Sequence, residues 1–224
     1  MNQLRADLHL KKFKYETKKY PFYEYLSELF GVSDLENIHD YLGHFDPFKR
    51  EQDQYTILHK IFYANFKLPN SPLQKMYENL VKDFISSLIP KKFYYQKIPT
   101  FRIGLPGNKF VGEFHRDTAY NHKPYELNFN LAISNYKSSA ALITENIAGS
   151  KNLITAEIDY GEVMSFDHIG CLHGSEINQT GKTMMSMDFR LALADMYYED
   201  PNAKSVNMNS KFIIGDYFSE ENVN

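Results

Sequence analysis

At Pro90 the chain changes its hydrophobic period, and this change constrains the fold more than any other feature. Before it, apolar residues recur every three to four positions, the spacing of amphipathic helices. Tyr20–Phe30 carries such a face and stops at Gly31; Ser33-Asp34 then forms a cap for a short helix through Leu42. Gln52–Phe66 repeats the pattern with Tyr55, Leu58, Ile61, Phe62 and Phe66. Ser71-Pro72 opens a further helix, since proline is tolerated in a first turn, and Pro90 ends it. After Pro90, short alternating runs follow one another: Phe93–Ile98, Thr100–Leu105, Phe110–His115, Glu126–Ser134, Ala140–Glu145, Asn152–Ile158, Glu162–Phe166 and Met184–Ala194. Turn residues separate them, among them Pro106-Gly107-Asn108, Tyr160-Gly161 and Thr180-Gly181. Strands at this spacing predict a β-sandwich or barrel. The expected organisation is a helical region over 1–90, a β core over 91–200 and a tail over 201–224, in a single domain of 224 residues.

Composition excludes several classes. A net charge of -3 gives no basic footprint for nucleic acid, and Lys11, Lys12, Lys14, Lys18 and Lys19 are interleaved with acids and aromatics as on a solvated face. Cys171 is the single cysteine, so no intrachain disulfide forms and a reducing compartment is expected. No run of 18 apolar residues marks a membrane span, and the N-terminus lacks the apolar core of a signal peptide. The expectation is a soluble cytoplasmic protein acting on a small molecule, without nucleic-acid or membrane partners.

Three side chains point to metal chemistry. His115 and Asp117 form a His-x-Asp pair just past an expected strand, and His173 lies in Leu172-His173-Gly174-Ser175. Two histidines and one carboxylate occupy one face of iron(II) and leave the opposite face open. Residues i and i+2 at a strand end reach one ion together, and a neighbouring strand, distant in sequence, supplies the third ligand. With eight histidines present, such a set also arises by chance, and the residues alone leave that reading the stronger.

The surrounding segments change the balance. Arg102–Asn108, Gly112–Tyr120, Glu126–Leu131, Glu145, Gly161-Glu162-Val163-Met164-Ser165-Phe166-Asp167, His173-Gly174-Ser175 with Asn178-x-Thr180-Gly181, and Ser186–Arg190 run in order over about residues 92–195. Together they resemble the phytanoyl-CoA dioxygenase-like branch of the iron(II)/2-oxoglutarate oxygenases, most closely the StrG-type proteins of streptomycin biosynthesis. The resemblance implies a mainly β fold, a double-stranded β-helix (jelly roll, cupin-like). The α-helical N-terminal region matches the family weakly, and its apolar faces are expected to pack on the outside of the barrel and to offer a homodimer surface. It implies His115, Asp117 and His173 as both catalytic residues and iron ligands. The implied cofactors are Fe(II), 2-oxoglutarate as cosubstrate and O2, and the implied reaction is hydroxylation of a small polar metabolite such as a sugar, cyclitol or amino acid. Asp117 argues against halogenation, for which related enzymes lack that ligand.

One position departs from the pattern. The family's arginine for the far carboxylate of 2-oxoglutarate falls at Met184, and a thioether cannot neutralise a carboxylate. Arg102 and Arg190 are the candidates to replace it. Arg102, the first choice, precedes the Pro106-Gly107-Asn108 hairpin expected at the closed end and so lies deeper than His115. A hairpin turn near Gln179–Lys182 would set Ser186 or Asp188 opposite His173, Met184 deeper and Arg190 nearer the mouth. Asn128 and Ser186 are further candidates for holding the cosubstrate, although Asn128 and Asn130 equally suit an outward polar face. Glu145 and Tyr120 are candidates for binding substrate. Tyr120, His122 and Tyr125 could line a lid, with His122 more simply a solvent-facing loop residue. Met184 also leaves open a metal-dependent isomerase or epimerase, or a 2-oxoglutarate-independent iron oxygenase, on the same fold. A non-catalytic sensor is a further alternative, against which the intact His115, Asp117 and His173 argue.

Overall fold

The computed structural model describes residues 3–42, 56–109, 113–205 and 210–223. The expected strand Phe110–His115 and the expected helix Gln52–Phe66 begin outside these residues, and His44 also lies outside them.

The N-terminal region supplies α1 (Gln3–Leu8), α2 (Phe22–Phe30), α3 (Ile57–Phe66) and α4 (Pro72–Asn79). α4 continues through a wider π-helical turn, Leu80–Ile85, into Ser86–Leu88. Gly31 ends α2 in the left-handed conformation (φ 71°), as the sequence predicts. Ser71 caps α4 by accepting from the Gln74 N–H, with Pro72 in its first turn. Asp34 likewise caps a 3-10 helix over Leu35–Tyr41.

One strand interrupts this helical region, a correction to the reading of residues 1–90 as helical. β1 (Lys12–Lys14) pairs antiparallel with β7 (Glu162–Phe166). Its Lys-Phe-Lys alternation exposes both lysines, which suits a short strand at a sheet edge.

The β region forms two antiparallel sheets, and the chain is mainly β beyond residue 90. The larger contains β1, β7, β4 (Glu126–Ala132), β9 (Met184–Leu193) and β2 (Phe93–Tyr95) in that order. β3 (Thr100–Gly104) also pairs with β9, alongside Met184–Asp188, while β2 takes Leu191–Leu193. The smaller sheet is β6 (Leu153–Ala156), β5 (Leu142–Glu145) and β8 (His173–Gly174). β8 therefore pairs with β5 and not with β9. The segment between them crosses from one sheet to the other, so the expected hairpin at Gln179–Lys182 is absent. Asn178 fixes that crossing: its Nδ2 donates to the Gly104 and Lys182 carbonyls.

Strand alternation divides the larger sheet into two faces. Met185, Met187, Phe189 and Leu191 of β9, Leu127, Phe129 and Leu131 of β4, and Phe101 and Ile103 of β3 pack on the helices. Phe62 of α3 lies stacked on Phe101 at 4.2 Å between ring centres. The opposite face, with Ala132, Met164, Phe166 and Met184, packs on Leu142 and Ala156 of the smaller sheet. All ten residues of β9 are buried. The C-terminal segment is more than a tail: Phe212, Tyr217 and Phe218 are buried with Tyr125 and Ala192, and Val223 bridges to Phe93.

His59 sits at the contact of α3 with β3, its ring edge-on to Phe101 at 5.5 Å and its Nδ1 hydrogen-bonded to Thr56 Oγ1. Burial, and then the charge of Arg102, push its pKa down to about 4. The unfolded chain, with an ordinary histidine pKa near 6.5, therefore takes up this proton first, and stability falls as pH drops from about 6.5 towards 4. Between pH 7.5 and 5 this amounts to about 2 kcal/mol at 1.36 kcal/mol per unit. Urea unfolding of wild type and His59→Gln at both pH values is expected to show that much less acid destabilisation in the variant; equal pH dependence would count against this origin.

Candidate metal centre

His115, Asp117 and His173 converge although they come from separate segments. A backbone bridge makes the first contact: the His115 N–H donates to the His173 carbonyl and the His173 N–H to the His115 carbonyl, both at 2.9 Å. This sets the two imidazoles side by side, 4.6 Å between ring centres. Asp117 opens a 3-10 turn (Asp117–Tyr120), and its N–H donates to the His168 carbonyl at 2.8 Å. The chain thus fixes all three backbones before any side chain is considered. Gly174 is required by close approach, because a β-carbon there would meet the Phe114 ring at 3.0 Å.

Each imidazole is oriented by its second nitrogen. His115 Nδ1 lies 2.8 Å from the Glu113 carbonyl and His173 Nδ1 3.1 Å from the Cys171 carbonyl. A carbonyl only accepts, so each Nδ1 carries a proton, and Nε2 is the nitrogen left to bind a metal ion. Both Nε2 atoms lie 3.3 Å from the same oxygen, Asp117 Oδ1. Ligands bound at right angles about 2.1 Å from an ion stand about 3 Å apart. One donor atom from each residue lies within 4.8 Å of the other two, and this is the one such group of three among the described residues. The set fits a divalent transition-metal ion bound on one face.

The other carboxylate oxygen is held by Arg190, whose Nη2 donates to Asp117 Oδ2 at 2.7 Å. Burial opposes the charge on Asp117, but the Arg190 guanidinium and the two histidine contacts hold its carboxyl well below the usual range. Arg190 thus stands beside the three residues, where the sequence reading set it nearer the mouth. A cavity opens from the group between the two sheets, bordered by Arg102, Asn130, Tyr136, Phe166 and Asp188. Arg102 donates through Nε to Asp188 Oδ2. Asn128 lies opposite Arg190 on β4, and Ser186 opposite Arg102 on β9. Both are buried, so the Asn128/Asn130 face turns inward, but neither Asn128 nor Ser186 is among the residues bordering the cavity.

The expected substrate residues separate. Tyr120 lies at the rim, 39% exposed, with its ring edge-on to His115. Glu145 is buried, and its oxygens are occupied: it accepts from the backbone N–H groups of Leu172 and Lys151 at 2.8 and 2.9 Å and from Arg116 Nη2 at 2.8 Å. These backbone donors, first that of Leu172, lower its pKa to about 2. Glu145 is a clamp on the segment that delivers His173, a correction to its expected place as a substrate contact. The lid reading is corrected for two residues. His122 is half-buried and pairs with Glu126 Oε2 at 2.7 Å, and Tyr125 is buried under the C-terminal segment.

Sequence reasoning missed the supports from the N-terminus. Arg5 Nε donates to Asp167 Oδ1 at 2.6 Å, and Asp167 also accepts from the Gly170 N–H at 2.8 Å. His9 accepts from the Asp167 N–H through Nδ1 and so donates from Nε2 to the Glu145 carbonyl. Both residues brace the loop between β7 and β8, which carries His168 and leads to His173. Contacts 158 and 162 residues apart leave no local signal; the fixed order of Asp167 before His173 was the part open to recognition.

No helix among the described residues is long and apolar enough to cross a membrane. No protein-family model matches the chain. The non-heme monooxygenase ThoJ in its apo form resembles it with a TM-score of 0.51 at 13% identity, over 84% of this chain and 77% of that one. SnoK, a non-heme alpha-ketoglutarate-dependent carbocyclase from nogalamycin biosynthesis, does so with a TM-score of 0.52 at 11% identity, over 87% and 85%. At these identities the likeness is one of fold. The streptomycin biosynthesis protein StrG of Streptomyces griseus is 30% identical over 210 residues, 92% of this chain and 96% of that protein. With the likeness running the length of both sequences, this chain belongs to the family of StrG.

Proposed function

We propose that the protein is a mononuclear non-haem iron(II), 2-oxoglutarate-dependent oxygenase that hydroxylates a small polar metabolite. In this reading the two sheets are the halves of a double-stranded β-helix, and His115, Asp117 and His173 are the iron ligands. The observation that carries it is the pair of Nε2 atoms aimed at one carboxylate oxygen beside an open cavity. Two histidines and one carboxylate on one face are the donor set of iron(II) oxygenases. An iron(II) ion held there supplies, with O2 and 2-oxoglutarate, oxidation of a substrate C–H bond coupled to conversion of the cosubstrate to succinate and carbon dioxide.

The side chains divide the remaining work. The Glu113 and Cys171 carbonyls hold the Nδ1 protons in place, so that Nε2 of each histidine is the atom that would bind the ion. Arg190 takes up Asp117 Oδ2 and leaves Oδ1 as the single carboxylate donor. Phe166 and Leu142 keep part of the cavity wall apolar and limit water around the open face.

Charge supports a dianionic cosubstrate. Arg102 and Arg190 offset Asp117 and Asp188 along the cavity, and imidazoles bound to a metal ion would add no charge. A divalent ion leaves two positive charges in a poorly solvated site, and 2-oxoglutarate brings two negative ones.

The test is anaerobic Fe(II) titration followed by turnover with labelled 2-oxoglutarate. Iron-dependent succinate and carbon dioxide are expected, with a weak visible charge-transfer band when the cosubstrate is added. Bound iron without that band or succinate, with any substrate tried, would favour a metal-dependent isomerase or a 2-oxoglutarate-independent oxygenase, a reading that Met184 supports. Asp117→Ala is expected to abolish stoichiometric Fe(II) binding. Arg190→Met is expected to weaken Fe(II) or Co(II) about 10- to 100-fold, the usual effect of losing a group that orients a ligand. Unchanged metal affinity in both variants would remove Asp117 from the centre.

A further inference from the structure

Arg102 is held along one edge and open along the other. Its Nε–H donates to Asp188 Oδ2, and among the described residues its two Nη groups have no hydrogen-bonded acceptor. The side chain borders the cavity and stays 21% exposed, whereas that of Arg190 is 9% exposed and commits Nη2 to Asp117. A guanidinium fixed through Nε keeps both Nη groups in one plane, the arrangement that matches the two oxygens of a carboxylate.

Register gives its depth. Arg190 lies beside Asp117, and Asp188 is two residues further along β9, a step of about 6.6 Å. Arg102 stands opposite Ser186 and reaches diagonally back to Asp188. Its open edge is therefore one strand step from the metal ligands, the separation between the chelating head of a five-carbon 2-oxo diacid and its far carboxylate. Met184, one step deeper, packs in the apolar cluster and offers no charge. Asn130 and Tyr136 border the same cavity, and Tyr136 is close to Arg102, Asp188, Asn130 and Ser186.

We infer that Arg102, steadied by Asp188, is the subsite for the far carboxylate of a dicarboxylic 2-oxo acid, and that Arg190 instead orients Asp117. The inference rests on the iron and 2-oxoglutarate reading above and names the residue that selects the cosubstrate. Asp188 is a positioning residue, acting on the ligand through the Arg102 plane.

The test compares 2-oxoglutarate with 2-oxopentanoate, which has the same five carbons and lacks the far carboxylate. Each is titrated anaerobically into the Fe(II)-loaded full chain, followed by calorimetry and the visible charge-transfer band. Wild type is expected to prefer the diacid. Arg102→Met should weaken 2-oxoglutarate about 10- to 100-fold, the worth of hydrogen bonds to a charged group, while leaving 2-oxopentanoate and iron content unchanged. Arg102→Lys, which keeps the charge and loses the fork, should give an intermediate preference and serves if the methionine variant does not fold. Asp188→Ala should narrow the preference, and Asp188→Asn, which still accepts from Nε, should retain it. A wild-type preference surviving in both Arg102 variants overturns the inference. So does a wild type that binds both acids equally, with the iron reading intact. A wild type that binds neither acid overturns the cosubstrate reading itself, and the inference with it.

Discussion

β9 separates two chemistries by strand parity, and both the core and the site depend on it. All ten of its residues are buried, yet they alternate between Met185, Met187, Phe189 and Leu191 against the helices and Ser186, Asp188 and Arg190 on the other face. A shift of one residue in register would send the two charges into the helical core and the methionines into the cavity. The helices make that error costly. Phe62 stacked on Phe101, and Tyr77 edge-on to Phe189 at 5.5 Å, require large apolar partners at fixed positions. The N-terminal half is in this sense the backing that holds the polar face inward.

The polar face is expensive to bury, and the structure meets the cost with pairs. Arg190 with Asp117 and Arg102 with Asp188 each put a guanidinium on a carboxylate inside the cavity. Such pairs contribute little net stability, but losing one partner strands a buried charge. Their value here is geometric: each leaves one side of a functional group available, Oδ1 of Asp117 in one case and the Nη edge of Arg102 in the other. The same logic extends outward to Glu145 and Asp167, whose carboxylates bind backbone N–H groups and thereby shape the loop ahead of His173.

Much of this was legible in the residues. The period change at Pro90 marked where helices give way to strands, because side-chain spacing follows backbone geometry directly. Gly31, Asp34 and Ser71-Pro72 marked helix ends, because caps are local. Glu162–Phe166 was bounded correctly by its turn residues. β1 was not, since three residues give too short a pattern to oppose a helical neighbourhood. Glu145 is set near the mouth by the resemblance, whereas its bonding partners Leu172 and Arg116 leave no local signal. The pairing of β8 with β5 rather than β9 escaped for a related reason: sequence neighbours need not be sheet neighbours.

The sequence by itself determined which residues could form a metal centre and in what order they lie along the chain. His-x-Asp supplied two donors at a local spacing, and the ordered frame from Arg102 to Arg190 identified the distant histidine. Only the tertiary structure decided their geometry. The His115–His173 backbone bridge spans 58 residues of chain, and the arginines reach their aspartates across strands. Local pattern encodes which face a side chain takes; which face it then meets is set by sheet pairing, and pairing is a property of the whole fold.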